Sequence, residues 1–304
     1  MLSVDPRQGS FFDLSQRTKL RLSGADRIRF VNGQITNDVR KATETAAIAA
    51  CVLNAKGKLN AHIYVSVDGD SIVIDVDGVL REVLQSRLER YLIADDVQID
   101  DITETFALFH VVTASPPSIA LAKTVSANRY GLPGFDLWVD VHKAAQVKAA
   151  LTTAVSFCDD KCAEQFRIEQ GVPRWGSELT EDTIPIEANL EESCIDYAKG
   201  CYIGQEVISR MKMSGQRNKG LYGLVGKQNE PLVAAMKLWS VTKETKEAGW
   251  LTSTTWSDRL GKHIALGYVK RPFNQIGAEL HSGTAQGSQI GVKIVDLPID
   301  STGL

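Results

Sequence analysis

Residues 199–206 read KGCYIGQE, which sets a thiol, an ammonium, a phenol, an amide and a carboxylate within eight positions. Cys201 follows Lys199 by two residues, and a nearby ammonium favours the thiolate, the form that acts as a nucleophile or binds metal. The alternative is a small apolar cysteine buried in a tight turn, the common fate of a free thiol. The residues alone leave both open. Gly200 and Gly204 would let a ligand approach the backbone closely or permit unusual φ angles.

A second candidate is RIEQGVPRWGSEL (167–179). Arg167 and Glu169 fall at the end of an expected helix; Gly171 suits the position after it and Pro173 prevents its continuation. A carboxylate at such a terminus can take two parallel N–H bonds from a ring with adjacent donors, or it can simply be solvated. Cys158 and Cys162 stand four residues apart, half of a metal site, and His62, His110, His142, His263 and His281 are scattered. We therefore expect no metal site. No dinucleotide fingerprint, phosphate-binding loop or HExxH zinc motif occurs.

These groups need elements to hold them. Lys19 to Leu22 reads as a short strand, and Ala25, Ile28, Val31 and Ile35 follow at helical spacing. Three β-like runs come next, at 45–54, 59–67 and 71–76, divided by the Lys56-Gly57 and DGD turns. Leu80, Leu84 and Leu88, flanked by Val83 and Tyr91, form one helical stripe, and 97–102 reads as another strand. From Phe106, two strand-like runs (106–113 and 136–141) precede helices over 142–155 and 159–170, and EANLEE reads as a short helix. After Met213 the short runs LYGLVG, KLWSVT, AGWLTSTT, HIALGYV and QIGVKIV suggest a small barrel or sandwich. The basic tract SRMKMSGQRNKG reads as the joint between the two regions. An α+β protein of two or three domains results, as 304 residues would suggest.

The net charge is −3, with no overall basic field for nucleic acid or anionic lipid. The first residues lack a signal peptide's basic and apolar regions, and no apolar run approaches the ~20 residues of a membrane helix. Five cysteines point to a reducing compartment, a bacterial cytoplasm or an organelle matrix.

Together the motifs resemble a family. KGCYIGQE resembles the K-G-C-[YF]-x-G-Q-E signature of the YgfZ-type folate-binding proteins, relatives of the glycine cleavage T-protein that act in iron–sulfur protein maturation. FFDLSQRTKLRLSGADRIRFVNGQITNDV, VLNAKGKLNAHIYV and RIEQGVPRWGSEL followed by IPIEANLE resemble further blocks of the same family, in the same order. The resemblance implies three domains around a central hole. A folate-binding α+β domain would span 1–42 and 106–213, a ferredoxin-like insert 43–105, and a carboxy-terminal β-barrel 214–304. It also implies tetrahydrofolate, or a one-carbon derivative, as the ligand.

In this reading Glu169 would hold the pterin N3–H and 2-amino edge, and Arg167 and Arg174 would position it or the folate carboxylates. Cys201 would be the reactive thiol, tuned by Lys199; Tyr202, Gln205 and Glu206 would order the loop or face the ligand. Arg210, Lys212, Arg217 and Lys219 would attract a polyglutamate tail or be a solvated linker. The transferases carry an acid pair where this chain has Ala61 and His62, which argues against glycine-cleavage chemistry. The expected function is a folate-binding accessory protein whose partners are iron–sulfur enzymes, tRNA-modifying ones included, or their assembly proteins. The rival readings are a folate-dependent one-carbon transferase and a cluster scaffold using Cys201 with Cys158, Cys162 or Cys194.

Overall fold

The computed structural model describes residues 5–241, 245–284 and 289–301. In chain order the elements are β1 (Ser10–Asp13), β2 (Thr18–Ser23), α1 (Arg27–Gln34), β3 (Ile48–Leu53), β4 (Leu59–Asp68), β5 (Ser71–Val76), α2 (Arg81–Glu89) and β6 (Gln98–Asp101). Next come β7 (Phe106–Val112), β8 (Lys123–Ser126), β9 (Gly134–Asp140), α3 (Ala144–Ala154), β10 (Ser156–Phe157), α4 (Asp160–Gln170), α5 (Glu191–Cys194) and α6 (Gln205–Ser214). The remaining strands are β11 (Lys219–Gly226), β12 (Lys237–Ser240), β13 (Glu247–Ser257), β14 (Lys262–Lys270), β15 (Glu279–Gly283) and β16 (Gln289–Val295). Thr242, which ends the KLWSVT run, lies outside the described residues. The chain packs as two units, Leu2–Asp159 with Leu190–Arg210, and Asp160–Asn189 with Met211–Leu304.

The first unit holds two five-stranded sheets, and one runs β3-β4-β5-β2-β6. Within it β2, α1, β4, β5, α2 and β6 follow the βαββαβ order of a ferredoxin-like fold. Its first strand and helix come from residues 18–34, upstream of the insert expected at 43–105, and β3 is an added edge strand. Leu20 and Leu22 explain the central place of β2, because both are fully buried. The edge strand β6, QIDD, carries acids that discourage further pairing. On α2, Leu84 and Leu88 face inward as expected, whereas Val83 and Tyr91 are exposed. On α1, Phe30 and Val31 are buried and Ile28 is not.

The other sheet runs β10-β1-β7-β9-β8. Ala107, Phe109 and Val111 of β7 share one face and pack with Phe11, Leu137, Val139 and the α3 residues Val147 and Leu151. His110 lies on the opposite face, directly across from Asp136 in the β7–β9 ladder.

One buried ion cluster joins these sheets. Arg129, between β8 and β9, donates to both oxygens of Asp75 on β5 (3.1 and 2.7 Å) and to both oxygens of Asp136 on β9 (2.8 and 2.7 Å). Its guanidinium also lies 4.0 Å from the centre of the Tyr64 ring. Arg17 pairs with Asp75, and His110 Nδ1 with Asp136 at 2.8 Å. Burial alone would raise both carboxyls, but Arg129, helped by Arg17 and His110, outweighs it and holds both below the usual carboxylate range. Burial likewise keeps the His110 imidazole below the usual histidine range, against the pull of Asp136. His110 is thus a satisfied core histidine at Nδ1.

The second unit contains a closed antiparallel barrel, β11-β14-β13-β12-β15-β16. Closure removes every exposed edge, and alternate residues such as Leu224, Leu251, Ala265, Leu280, Val292 and Ile294 fill the interior. Several expectations change here. The tract SRMKMSGQRNKG is no simple joint: Ser209 to Ser214 complete α6, and β11 begins at Lys219. EANLEE is split by Asn189 at φ 59°, between a 3-10 turn (Pro185–Ala188) and α5. The strands β1, β8, β10 and β15 have no counterpart in the sequence reading; they are short or weakly alternating. Among the described residues no helix is long and apolar enough to cross a membrane.

Removing Arg129 leaves Asp75 with Arg17 and Asp136 with His110 as their remaining partners, and breaking a buried ion pair costs about 3–5 kcal/mol. Arg129→Met should therefore lose about that much stability at pH 7. The carboxyl pKa values are depressed in the native protein, so their contribution is complete above the unfolded value of about 4 and is lost as pH falls through the native values. In Arg129→Met the acids lose the main cause of that depression and take up protons at higher pH, so the gap to wild type should narrow on acidification. Urea unfolding at pH 7 and pH 4 measures this; an unchanged gap would show that the cluster acts by packing instead of charge.

Candidate functional site

In the first unit, KGCYIGQE runs from the end of α5 into α6. Lys199 is buried, at 6% exposure, and its ammonium donates to the carbonyls of Asn32 (2.6 Å), Ile35 (2.6 Å) and Asn37 (2.8 Å). All three of its protons are used. Burial pushes its pKa down to about 8, against the opposing carboxylates of Asp38 and Asp196, so it is charged at neutral pH. Lys199, expected to tune Cys201, is instead the tie that fastens this loop to the end of α1. Ile203 N–H adds a bond to the Gly33 carbonyl.

Cys201 is an exposed free thiol. Beside it, a side chain at Gly200 would meet nothing within 4 Å, so the surface there is open. Gly204 differs. Its φ is +86°, and a Cβ there would lie 2.6 Å from the Asn54 carbonyl. Opposite, Gly57 of the β3–β4 turn has φ +72° and would meet Val207 at 2.8 Å. Two glycines thus let the turn and the loop touch backbone to backbone. Tyr202 points inward, and its hydroxyl has no hydrogen-bond partner among the described residues. Gln205 opens α6, while Glu206 is exposed and pairs with Arg210 at 3.5 Å, a contact worth little in water.

Glu169 lies in the second unit at 2% exposure. Its carboxylate accepts from Ser257 Oγ (2.6 Å), Arg259 Nε (3.1 Å) and Gln165 Nε2 (3.3 Å). Arg167 is also enclosed, bonded to Glu164, Glu178, Ser253 and the Val172 carbonyl. Both side chains therefore fasten α4 to the barrel strand β13. Arg174 is half-exposed and pairs with Glu164 at 3.1 Å.

The same unit has an open cavity of ≈ 800 Å³ whose lining includes Asp182, Glu187, Lys219, Trp250, Lys270 and Arg271. Glu187 is held on the 3-10 turn started by Pro185 and is 6% exposed. Lys219 Nζ lies 3.6 Å from its carboxylate and 5.0 Å from the centre of the Trp250 ring. Such a wall offers a carboxylate, an aromatic face and several cations. Glu187 was visible in the sequence as the acid of IPIEANLE, but nothing local separated it from Glu169. Trp250 read only as part of a strand.

Cys158 and Cys162 are each held in a disulfide, so neither is a free thiolate for metal. Among the described residues no group of three or more His, Cys, Asp or Glu side chains is arranged to hold a metal ion.

The loop geometry separates its two glycines. Gly204→Ala should cost at least about 1–2 kcal/mol from the left-handed backbone alone, with the clash against Asn54 in addition. Gly200→Ala should leave the melting temperature unchanged. Thermal denaturation of the pair checks this, and equal effects would refute the packing described.

Comparison with known proteins bears on both units. Residues 219–300 match the glycine cleavage T-protein C-terminal barrel domain. The chain is 26% identical over 255 residues to the tRNA-modifying protein YgfZ of Yersinia pestis (strain Pestoides F), covering 76% of each. It is 27% identical over 262 residues to the protein of the same name from Yersinia enterocolitica, covering 78% of each. In structure it is similar to the glycine cleavage system aminomethyltransferase T from Bartonella henselae, with TM-score 0.83 and 16% identity over 96% of this chain and 86% of that one. The chain therefore has a glycine cleavage T-protein-like α+β fold, with that protein's carboxy-terminal barrel at residues 219–300.

Proposed function

We propose that the chain is a tetrahydrofolate-binding accessory protein that supports assembly or repair of iron–sulfur enzymes, tRNA-modifying ones among them. The cavity containing Glu187 and Trp250 carries this reading. A pterin presents an N3–H and a 2-amino group side by side, the donor pair that a carboxylate accepts in parallel. Glu187 supplies that carboxylate, Trp250 an indole for the ring, and Lys270 and Arg271 charges for the tail carboxylates. Glu187 lines the cavity, so the pterin edge is assigned to it in place of Glu169. The names of the Yersinia relatives support the link to tRNA modification. Cys201, exposed beside open space at Gly200, is the thiol offered to a client or to a one-carbon adduct.

Calorimetric titration with tetrahydrofolate tests this. A charge-assisted bond is worth about 1.5–3 kcal/mol, so Glu187→Gln should weaken binding roughly 10- to 150-fold. Cys201→Ser should bind normally yet fail to restore iron–sulfur enzyme activity in cells lacking the protein. Glu169→Gln should register in the melting temperature. If Glu169→Gln kept its stability and lost binding while Glu187→Gln bound normally, the pterin would belong to Glu169. Turnover of a methylated donor with tetrahydrofolate would replace the accessory role with a one-carbon transferase.

A further inference from the structure

Two more cysteines lie close to the KGCYIGQE loop, both fully buried: Cys51 on β3 and Cys194 at the end of α5. Both thiols are free, and each acts on the other's titration. One hydroxyl sets the backbone of the pair. Cys51 N–H donates to Thr36 Oγ1 at 2.9 Å, and the Thr36 hydroxyl donates to the Cys194 carbonyl at 2.5 Å. His62 is the cross-strand neighbour of Cys51, and Ser193 Oγ lies 3.3 Å from the Cys194 sulfur.

The two sulfurs are not equivalent. The Cys51 thiol, with His62 and Ser193, holds Cys194 well below the usual thiol range, whereas burial pushes Cys51 well above it. The Ser193 hydroxyl, 3.3 Å away, can donate to a Cys194 thiolate, which suits that sulfur to attack and Cys51 to resolve. His62, beside Cys51 in the β3–β4 ladder, is only partly buried.

We propose that Cys194 and Cys51 form a peroxide-oxidised dithiol site, with Cys194 as the attacking sulfur and Cys51 as the resolving thiol. The Cys194 thiolate attacks one oxygen of hydrogen peroxide; the S–O bond forms, the O–O bond breaks and hydroxide leaves, taking up a proton to become water. Cys51 then attacks the Cys194 sulfur; the S–S bond forms, the S–O bond breaks and a second water leaves with the Cys51 proton. In total the two thiols lose two electrons and two protons, and the peroxide becomes two waters. The disulfide would join β3 to α5, five residues before the Lys199 tie, so the oxidation state of the pair reaches the loop that carries Cys201. None of this depends on folate binding.

The test uses the full chain, wild type and Cys201→Ser, treated with hydrogen peroxide, alkylated under denaturing conditions and digested with trypsin. Cleavage at Lys41, Lys56, Arg174 and Lys199 places Cys51 on peptide 42–56 and Cys194 on peptide 175–199, both apart from Cys201. The expected result is joint loss of alkylation at Cys51 and Cys194, a cross-linked 42–56/175–199 pair, and recovery of both thiols after dithiothreitol. In Cys51→Ser, dimedone should label Cys194 as the sulfenic acid. If Cys51 and Cys194 stay alkylatable at a peroxide concentration that oxidises Cys201, the proposal is overturned. The wild-type chain alone gives this answer, so it does not depend on a variant folding.

Discussion

Arg129 is the constraint on which the first unit depends. Two sheets there present a buried carboxylate each, Asp75 and Asp136, and Arg129 is the cation that pairs with both at once. The guanidinium fits because its planar fork serves two carboxylates at once, each in bidentate fashion. Packing among aliphatic side chains is tolerant of small slips, whereas this arrangement is not: a shifted strand would leave a charge unpaired. The cluster therefore fixes β5 against β9, and through the β4–β5 ladder it also fixes the strand that carries His62.

Lys199 applies the same physics at smaller scale. Its ammonium closes on three carbonyls, those of Asn32 and Ile35 at the end of α1 and Asn37 beyond it, groups that helix geometry leaves without partners. The loop is then pressed against the β3–β4 turn, where Gly57 and Gly204 remove the side chains that would hold them apart. Within this frame Cys201 faces outward, Tyr202 faces inward, and the buried Cys51–Cys194 pair lies between α5 and β3. The KGCYIGQE segment is better understood as a positioned platform than as a lone cysteine activated by its neighbour in sequence.

Glu169 and Arg167 show what reading along the chain leaves out. Both have the residue types of a ligand site and both end a helix, yet Ser257, Arg259, Glu178 and Ser253 consume their bonding capacity. Those partners stand roughly ten to ninety residues away in sequence. Glu187, in the same motif region, lines a cavity with Trp250. Whether a carboxylate lines a cavity is a property of its surroundings, and no local pattern reports it.

The sequence by itself determined the α+β class, the β-rich carboxy-terminal third and most element positions, including the strand at 71–76. Hydrophobic period and turn residues are local signals, and they act over a few residues. It also singled out the loop at 199–206. Only the tertiary structure decided that β2 completes the ferredoxin-like sheet, that Lys199 binds carbonyls in place of serving the thiol, and that Cys51 meets Cys194. Each of these joins groups tens to hundreds of residues apart, where burial and charge pairing select the partner and sequence spacing carries no information.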